Sequence, residues 1–257
     1  MLFIGLGMMF SVGCTNDPVV PRSTTYDLKV KDVLGVSGAV TFVETSPTVT
    51  TINITLTGAP SGTHPAELCM NSAVEGGIVK AILNPVDASG KSSTTISTMT
   101  YAQLIVYDGF VKVMKSDVDA TVILAQGDIG GNVITTTNKT YTLTTYGNFG
   151  VSGTAMFEKR VNGNTLVTIS LTGTIAGDSY PATINLGSIA SVGGGPVVVT
   201  LQNVSGTTGK SYSNIKALNS NVAITYDNWL VYDGYINVYQ TSDLTGAVIC
   251  HGNIGSN

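Results

Sequence analysis

Ile52-Asn53-Ile54-Thr55-Leu56-Thr57 alternates apolar and polar side chains without a break, and Val167-Thr168-Ile169-Ser170-Leu171-Thr172 repeats the pattern further along the chain. Successive side chains of a strand point to opposite faces, so Ile52, Ile54 and Leu56 share one face, as do Val167, Ile169 and Leu171. Both segments read as half-buried antiparallel strands. Similar short runs recur, punctuated by Gly, Pro and Asn, and no stretch of useful length carries a helical period. Asn162-Gly163 stands between Phe157-Glu158-Lys159-Arg160 and the second strand, where a tight hairpin is expected.

The two strands belong to two copies of one module. Gly35-Val36-Ser37-Gly38 aligns with Gly150-Val151-Ser152-Gly153, and the same offset pairs Phe42 with Phe157. Further on, Tyr107-Asp108-Gly109-Phe110-Val111-Lys112-Val113 answers Tyr232-Asp233-Gly234-Tyr235-Ile236-Asn237-Val238, and Gly127-Asp128-Ile129-Gly130 answers Gly252-Asn253-Ile254-Gly255. Extra residues near Leu218 to Ala223 account for most of the growth in spacing and are placed in a loop. The chain is thus expected to be all-β, with one antiparallel β-sandwich or barrel per copy. The first domain covers residues 26–132 and the second 146–257, while 133–145 is either a linker or the second domain's first strand. In each Tyr-Asp-Gly motif the preferred reading is a turn, with the Asp side chain bonding backbone and the Gly tolerating positive φ, and the other is a polar ligand or cation site shared by both copies.

Charged residues make up 11% of the 257 residues, against about 25% in an ordinary soluble protein. A formal charge of −4 and only 12 basic residues, none clustered, leave no footprint for a phosphate backbone, so nucleic-acid binding is excluded. Residues 1–13 are uncharged, almost wholly apolar and too short to cross a bilayer, and they read as the hydrophobic part of a signal peptide. Ser11-Val12-Gly13-Cys14 resembles the lipobox at which a bacterial signal peptidase leaves a lipidated Cys14. No Lys or Arg precedes the apolar run, which points to a start codon further upstream. Residues 14–25 read as a flexible tether, so the expected partner is a membrane, reached through lipid on Cys14 from the periplasmic or cell-surface side. In that compartment Cys69 and Cys250 are either a cross-domain disulfide or two partly buried thiols.

Taken in order, His64-Pro65-Ala66, Glu75-Gly76-Gly77, Leu83-Asn84-Pro85-Val86-Asp87, Gly90-Lys91-Ser92, Tyr107-Asp108-Gly109 and Gln126-Gly127-Asp128-Ile129 make the first copy resemble the chordin-type, or CHRD, domain. The second copy resembles a more divergent member through Pro181-Ala182, Gly209-Lys210-Ser211, Tyr232-Asp233-Gly234 and Gly252-Asn253-Ile254-Gly255. The resemblance implies an immunoglobulin-like sandwich or barrel similar to copper-zinc superoxide dismutase, in exported proteins without a settled activity.

Many members of that family carry a His-Pro-Ala-His-Ile-His pattern that could share a metal ion. Here His64 keeps the first position, but Glu67 and Cys69 stand at the next two, and Tyr180, Thr183 and Asn185 take these places in the second copy. His64, Glu67 and Cys69 are therefore weak candidate ligands; no catalytic set, no metal and no cofactor is expected. Gly206-Thr207-Thr208-Gly209-Lys210-Ser211 falls one residue short of a phosphate loop and reads as a polar turn. Tyr235 and Tyr239, with Trp229 nearby, form a candidate binding surface for sugars if their strand face is outward. Three functions follow as expectations. The first is a non-enzymatic lipoprotein whose two modules bind an extracellular protein or glycan, or serve as structure, at the cell envelope. The others are a metal-dependent dismutase-like oxidoreductase and a carbohydrate-binding module.

Overall fold

A computed structural model of the chain describes residues 20–190, 194–240 and 246–257. The signal-peptide segment 1–13 and Cys14 lie outside the described residues. The first copy contains β1 (Ser23–Val30), β2 (Ser37–Ser46), β3 (Val49–Thr57), β4 (His64–Met70), β5 (Val79–Val86) and β6 (Lys91–Ile96), then α1 (Tyr101–Leu104), β7 (Asp108–Met114) and β8 (Ile123–Gly130). The second runs β9 (Ile134–Thr145), β10 (Ser152–Arg160), β11 (Thr165–Thr172), β12 (Ser179–Leu186), β13 (Val197–Ser205), β14 (Lys210–Ile215), α2 (Tyr226–Trp229), β15 (Asp233–Tyr239) and β16 (Val248–Gly255).

The first sheet has the order β5-β4-β7-β8-β1-β2-β3-β6, and the second has the same order in its own strands but closes into a barrel. Closure comes from Ser205 pairing with Lys210. In the first copy Asp87 N–H bonds the Lys91 carbonyl at 2.9 Å at the corresponding place, and hydroxyls bridge further along: Asn84 N–H donates to Thr94 Oγ1 at 2.7 Å, and Ser92 Oγ donates to the Asn84 carbonyl. Gln202 N–H donates to Ser213 Oγ at 2.9 Å at the equivalent place in the second. The chain is all-β with two antiparallel, barrel-like domains. No helix among the described residues is long and apolar enough to cross a membrane.

Alternation places the core as expected. Ile52, Ile54 and Leu56 are buried with Val40, Phe42 and Val111, and Val167, Ile169 and Leu171 with Phe157, Ile236 and Val238. Full burial of such side chains contributes about 1.5–3 kcal/mol each. Residues 133–145 are no linker: Ile134–Thr145 is a strand paired with both β10 and β16. Residues 23–25, placed in the tether by the sequence, belong instead to β1, where Ser23, Thr24 and Thr25 pair with Val43, Phe42 and Thr41. The inserted residues form a small turned-back segment in which Ala217 bridges Ala223.

The Tyr-Asp-Gly motifs are built differently from the expected turn. Asp108 and Asp233 begin strands, and neither Gly109 nor Gly234 has positive φ. Glycine is required there by close approach: a Cβ on Gly109 would lie 2.5 Å from Cδ1 of Tyr107 and 2.6 Å from the Cys69 carbonyl oxygen. Each Asp side chain meets an asparagine instead of nearby backbone. Asn162 Nδ2 donates to Asp108 Oδ1 at 2.7 Å, and Asn257 Nδ2 to Asp233 Oδ1 at 2.9 Å. The helices are single turns defined by their caps, in which the Thr100 and Thr225 side chains accept from the N–H groups of Gln103 and Asn228.

Candidate functional site: the cleft between the barrels

Gly131, Asn132 and Val133 alone separate β8 from β9, so the barrels touch. The hairpin joining β10 and β11 reaches back onto the first barrel. Its turn is the expected one: Gly163 has φ +86°, and Asn164 N–H donates to Asn162 Oδ1. Asn162 N–H then bonds the Gly131 carbonyl at 2.9 Å, and Val161 N–H that of Val133 at 2.9 Å.

Arg160 lies under this hairpin, fully buried. Its Nη1 donates to Asp128 Oδ2 at 2.7 Å and to the Asn132 carbonyl, while Asp128 Oδ1 accepts from Ala73 N–H at 2.7 Å. A buried charge removed from water needs such partners. Asn214 Nδ2 of the second barrel donates to Glu75 Oε2 at 2.9 Å, and the same oxygen accepts from the Ser72 hydroxyl. The loop after β4 is therefore fastened on both sides of the boundary.

A cleft of about 460 Å³ opens beside these contacts, lined by both barrels. On the first, Asp27, Lys29, Gln126 and Asp128 form a polar wall on neighbouring strands, with Lys29 paired opposite Gln126. The second contributes Val133, Ile134, Leu166 and Tyr212. Tyr212 remains exposed, whereas Leu166 is buried although β11 turns Val167 and Ile169 into its own core. Both faces of β11 are covered here, from Thr165 to Ile169. The result is a groove whose carboxylates, amide and ammonium all come from the first copy, while its aromatic and aliphatic surface comes from both, with Tyr26, Val30 and Val74 on the first and Ile134, Leu166 and Tyr212 on the second. Such a groove suits a ligand that carries both polar groups and apolar surface.

The residues singled out from the sequence lie elsewhere. His64 is buried, with Nδ1 2.7 Å from the Lys115 carbonyl oxygen and Nε2 2.9 Å from that of Pro60, so neither ring nitrogen faces open space. Tyr180 has the same anchoring task in the second copy: its hydroxyl accepts from Ile175 N–H at 2.9 Å. Odd spacing sends Glu67 and Cys69 to the opposite face of β4 from His64. Glu67 pairs with Lys112 at 2.9 Å, and Cys69 Sγ is 4.0 Å from Glu67. His64, Glu67 and Cys69 do not converge, and no group of three metal-binding side chains occurs among the described residues.

Cys69 and Cys250 are free and buried. Burial pushes the Cys69 thiol up and the Cys250 thiol up to about 12. His251, the neighbour of Cys250, faces the other way and packs against Tyr146 with ring centroids 4.8 Å apart and the planes tilted by 57°; burial lowers its pKa. The aromatic surface proposed from sequence is a correction too. Trp229 sits in the core between Phe157 and Tyr232, while Tyr235 and Tyr239 face away from the barrel centre yet are buried. Gly195 N–H donates to the Tyr235 hydroxyl at 2.8 Å, which shows the segment before β13 folding over it.

Sequence reading missed Arg160 and Asp128. The available signal was a mismatch between copies, since Asn253 stands in the place of Asp128 and accepts from Ile189 N–H as Asp128 does from Ala73. Only the first copy makes this anchor charged, and Arg160 is one of two arginines in the chain. No protein-family description, curated protein or solved structure matches the chain.

Proposed function

We propose that this is a non-enzymatic binding protein of the bacterial cell envelope, exported and held by lipid on Cys14, in which two chordin-type barrels present a joint cleft to an extracellular partner. The observation that carries the reading is the cleft itself. Its charged and amide groups come from the first copy and its apolar surface from both, and Asp128 of its lining is held by the buried Arg160 of the second. Neither copy has this surface alone, so duplication supplies a purpose beyond repetition of a scaffold. The polar residues of the cleft are also those a binding site needs to orient a ligand.

A glycan is the ligand class this cleft favours, because Tyr212 offers a flat face for sugar C–H groups across from the hydroxyl-bonding Asp27 and Gln126. A glycan array probed with the full chain carrying Cys14→Ser, and with Tyr212→Ala added, tests it. Binding that Tyr212→Ala abolishes is expected; a blank array, or signal indifferent to Tyr212→Ala, overturns the glycan assignment. Labelling with radioactive palmitate in a bacterial host tests the anchor, and label retained after Cys14→Ser would overturn it. For the metal-dependent alternative, stoichiometric copper or zinc in elemental analysis would restore the oxidoreductase reading against the dispersed ligands.

A further inference from the structure

The second barrel covers an edge that the first leaves bare. Ten residues connect β14 to α2, against four between β6 and α1. In the longer connection Leu218 N–H bonds the Val222 carbonyl at 2.8 Å, and Asn221 turns the chain at φ 64°. Its tip lies on β13. Asn219 N–H donates to the Val198 carbonyl at 2.8 Å, and Asn219 Oδ1 accepts from Thr200 N–H at 3.3 Å. Leu218 packs against the barrel core alongside Val198. One asparagine thus occupies the outward carbonyl and N–H of a strand that would otherwise present them.

β5 is the counterpart of β13, irregularity for irregularity. Pairing of β12 with β13 shifts between Ile184–Val199 and Asn185–Val197, and pairing of β4 with β5 shifts identically between Leu68–Ala81 and Cys69–Val79. Lys80 therefore holds the place of Val198 and Ile82 that of Thr200. Equal register turns the Lys80 carbonyl and the Ile82 N–H away from β4. β5 ends the sheet order, and among the described residues no segment bonds these two groups. The side chains are those of an interface: Ile82 is 80% and Ile78 73% exposed, and the Lys80 ammonium has no carboxylate partner among the described residues.

We propose that the Val79–Leu83 edge of β5 is a strand-addition site for an extended segment of a partner protein, apolar in character and carrying a carboxylate for Lys80. The second barrel states the main-chain chemistry required of the occupant. It donates an N–H to the Lys80 carbonyl and accepts from the Ile82 N–H, as Asn219 does for Val198 and Thr200. The exposed isoleucines favour aliphatic neighbours, and the lone ammonium selects an acid between them. This site is independent of the cleft and uses none of its residues.

Hydrogen exchange on the full chain carrying Cys14→Ser reads the Ile82 amide directly. The probe is an eight-residue synthetic peptide alternating valine and threonine around a central glutamate. Expected results are fast exchange at Ile82 in the free chain, slowing of at least about tenfold on saturation with peptide, and saturable fluorescence anisotropy of labelled peptide. Ile82→Pro removes the N–H at an edge position that accepts proline, and should weaken binding about tenfold or more. Lys80→Glu gives a second variant should the first not fold: it should weaken the glutamate peptide and favour one with lysine in its place. The proposal is overturned by an Ile82 amide already slow in the free chain, or by slowing that depends on protein concentration alone and so belongs to a second copy. Absence of saturable binding, or equal affinity in both variants, overturns it as well.

Discussion

Arg160 reaches from the end of β10 into the other barrel and holds Asp128 Oδ2 at 2.7 Å, with the arginine wholly buried. The pair is a cross-domain contact between residues whose equivalents in the opposite copies, Thr45 and Asn253, carry no charge. It therefore belongs to the contact between the copies and not to what the two modules share.

Removing one partner leaves a charge stranded. Asp128→Ala should destabilise the chain by about 3–5 kcal/mol, the usual cost of breaking a buried ion pair from one side. Asp128→Asn keeps the acceptor for Ala73 and should cost less, and Arg160→Met added to it should recover stability. Urea denaturation of the three variants decides, and a loss under about 1 kcal/mol for Asp128→Ala would contradict the structural role.

Gly109→Ala should cost more than Gly234→Ala. The first Cβ meets the Cys69 carbonyl oxygen at 2.6 Å, whereas the second meets that of Asn185 at 3.0 Å, and a carbonyl within a sheet cannot step aside. Overpacking of this kind costs about 1–3 kcal/mol. Thermal midpoints falling in the reverse order would refute the close-approach account.

The cysteines predict a pH effect. Burial holds the Cys250 thiol up to about 12, well above its value in an unfolded chain, about 8.5. An acid whose folded pKa is raised keeps its proton in the native state and releases it on unfolding, so stability should fall as pH rises from the unfolded value toward the folded one. Melting between pH 7 and 10 should show this decline, weakened in Cys250→Ala. Iodoacetamide should label neither Cys69 nor Cys250 in the native chain at neutral pH; rapid labelling would show that the burial is wrong.

Much of the fold was legible because period-two alternation and repetition are local signals. Ile52, Ile54 and Leu56 announced both their strand and its buried face, and Asn162-Gly163 announced its hairpin. The one-turn helices were not legible by periodicity, since four residues cannot show a period; only the Thr100–Gln103 and Thr225–Asn228 spacings mark them. Face and exposure also proved separable. Tyr235 does point away from the barrel interior, yet a loop covers it, and no residue of β15 encodes that cover. The cleft was least legible, because Asp27, Gln126 and Tyr212 come from distant stretches and meet only when one barrel docks on the other.

The connector Gly131-Asn132-Val133 is itself bonded by Asn162 and Val161 of the second barrel's hairpin, which ties the two barrels at the joint. A ligand of the proposed site would meet walls that these bonds already hold in position, so the entropic cost of aligning them would fall on folding and not on capture. Uptake and release should then be quick single-step events, without a slow closing phase in stopped-flow traces.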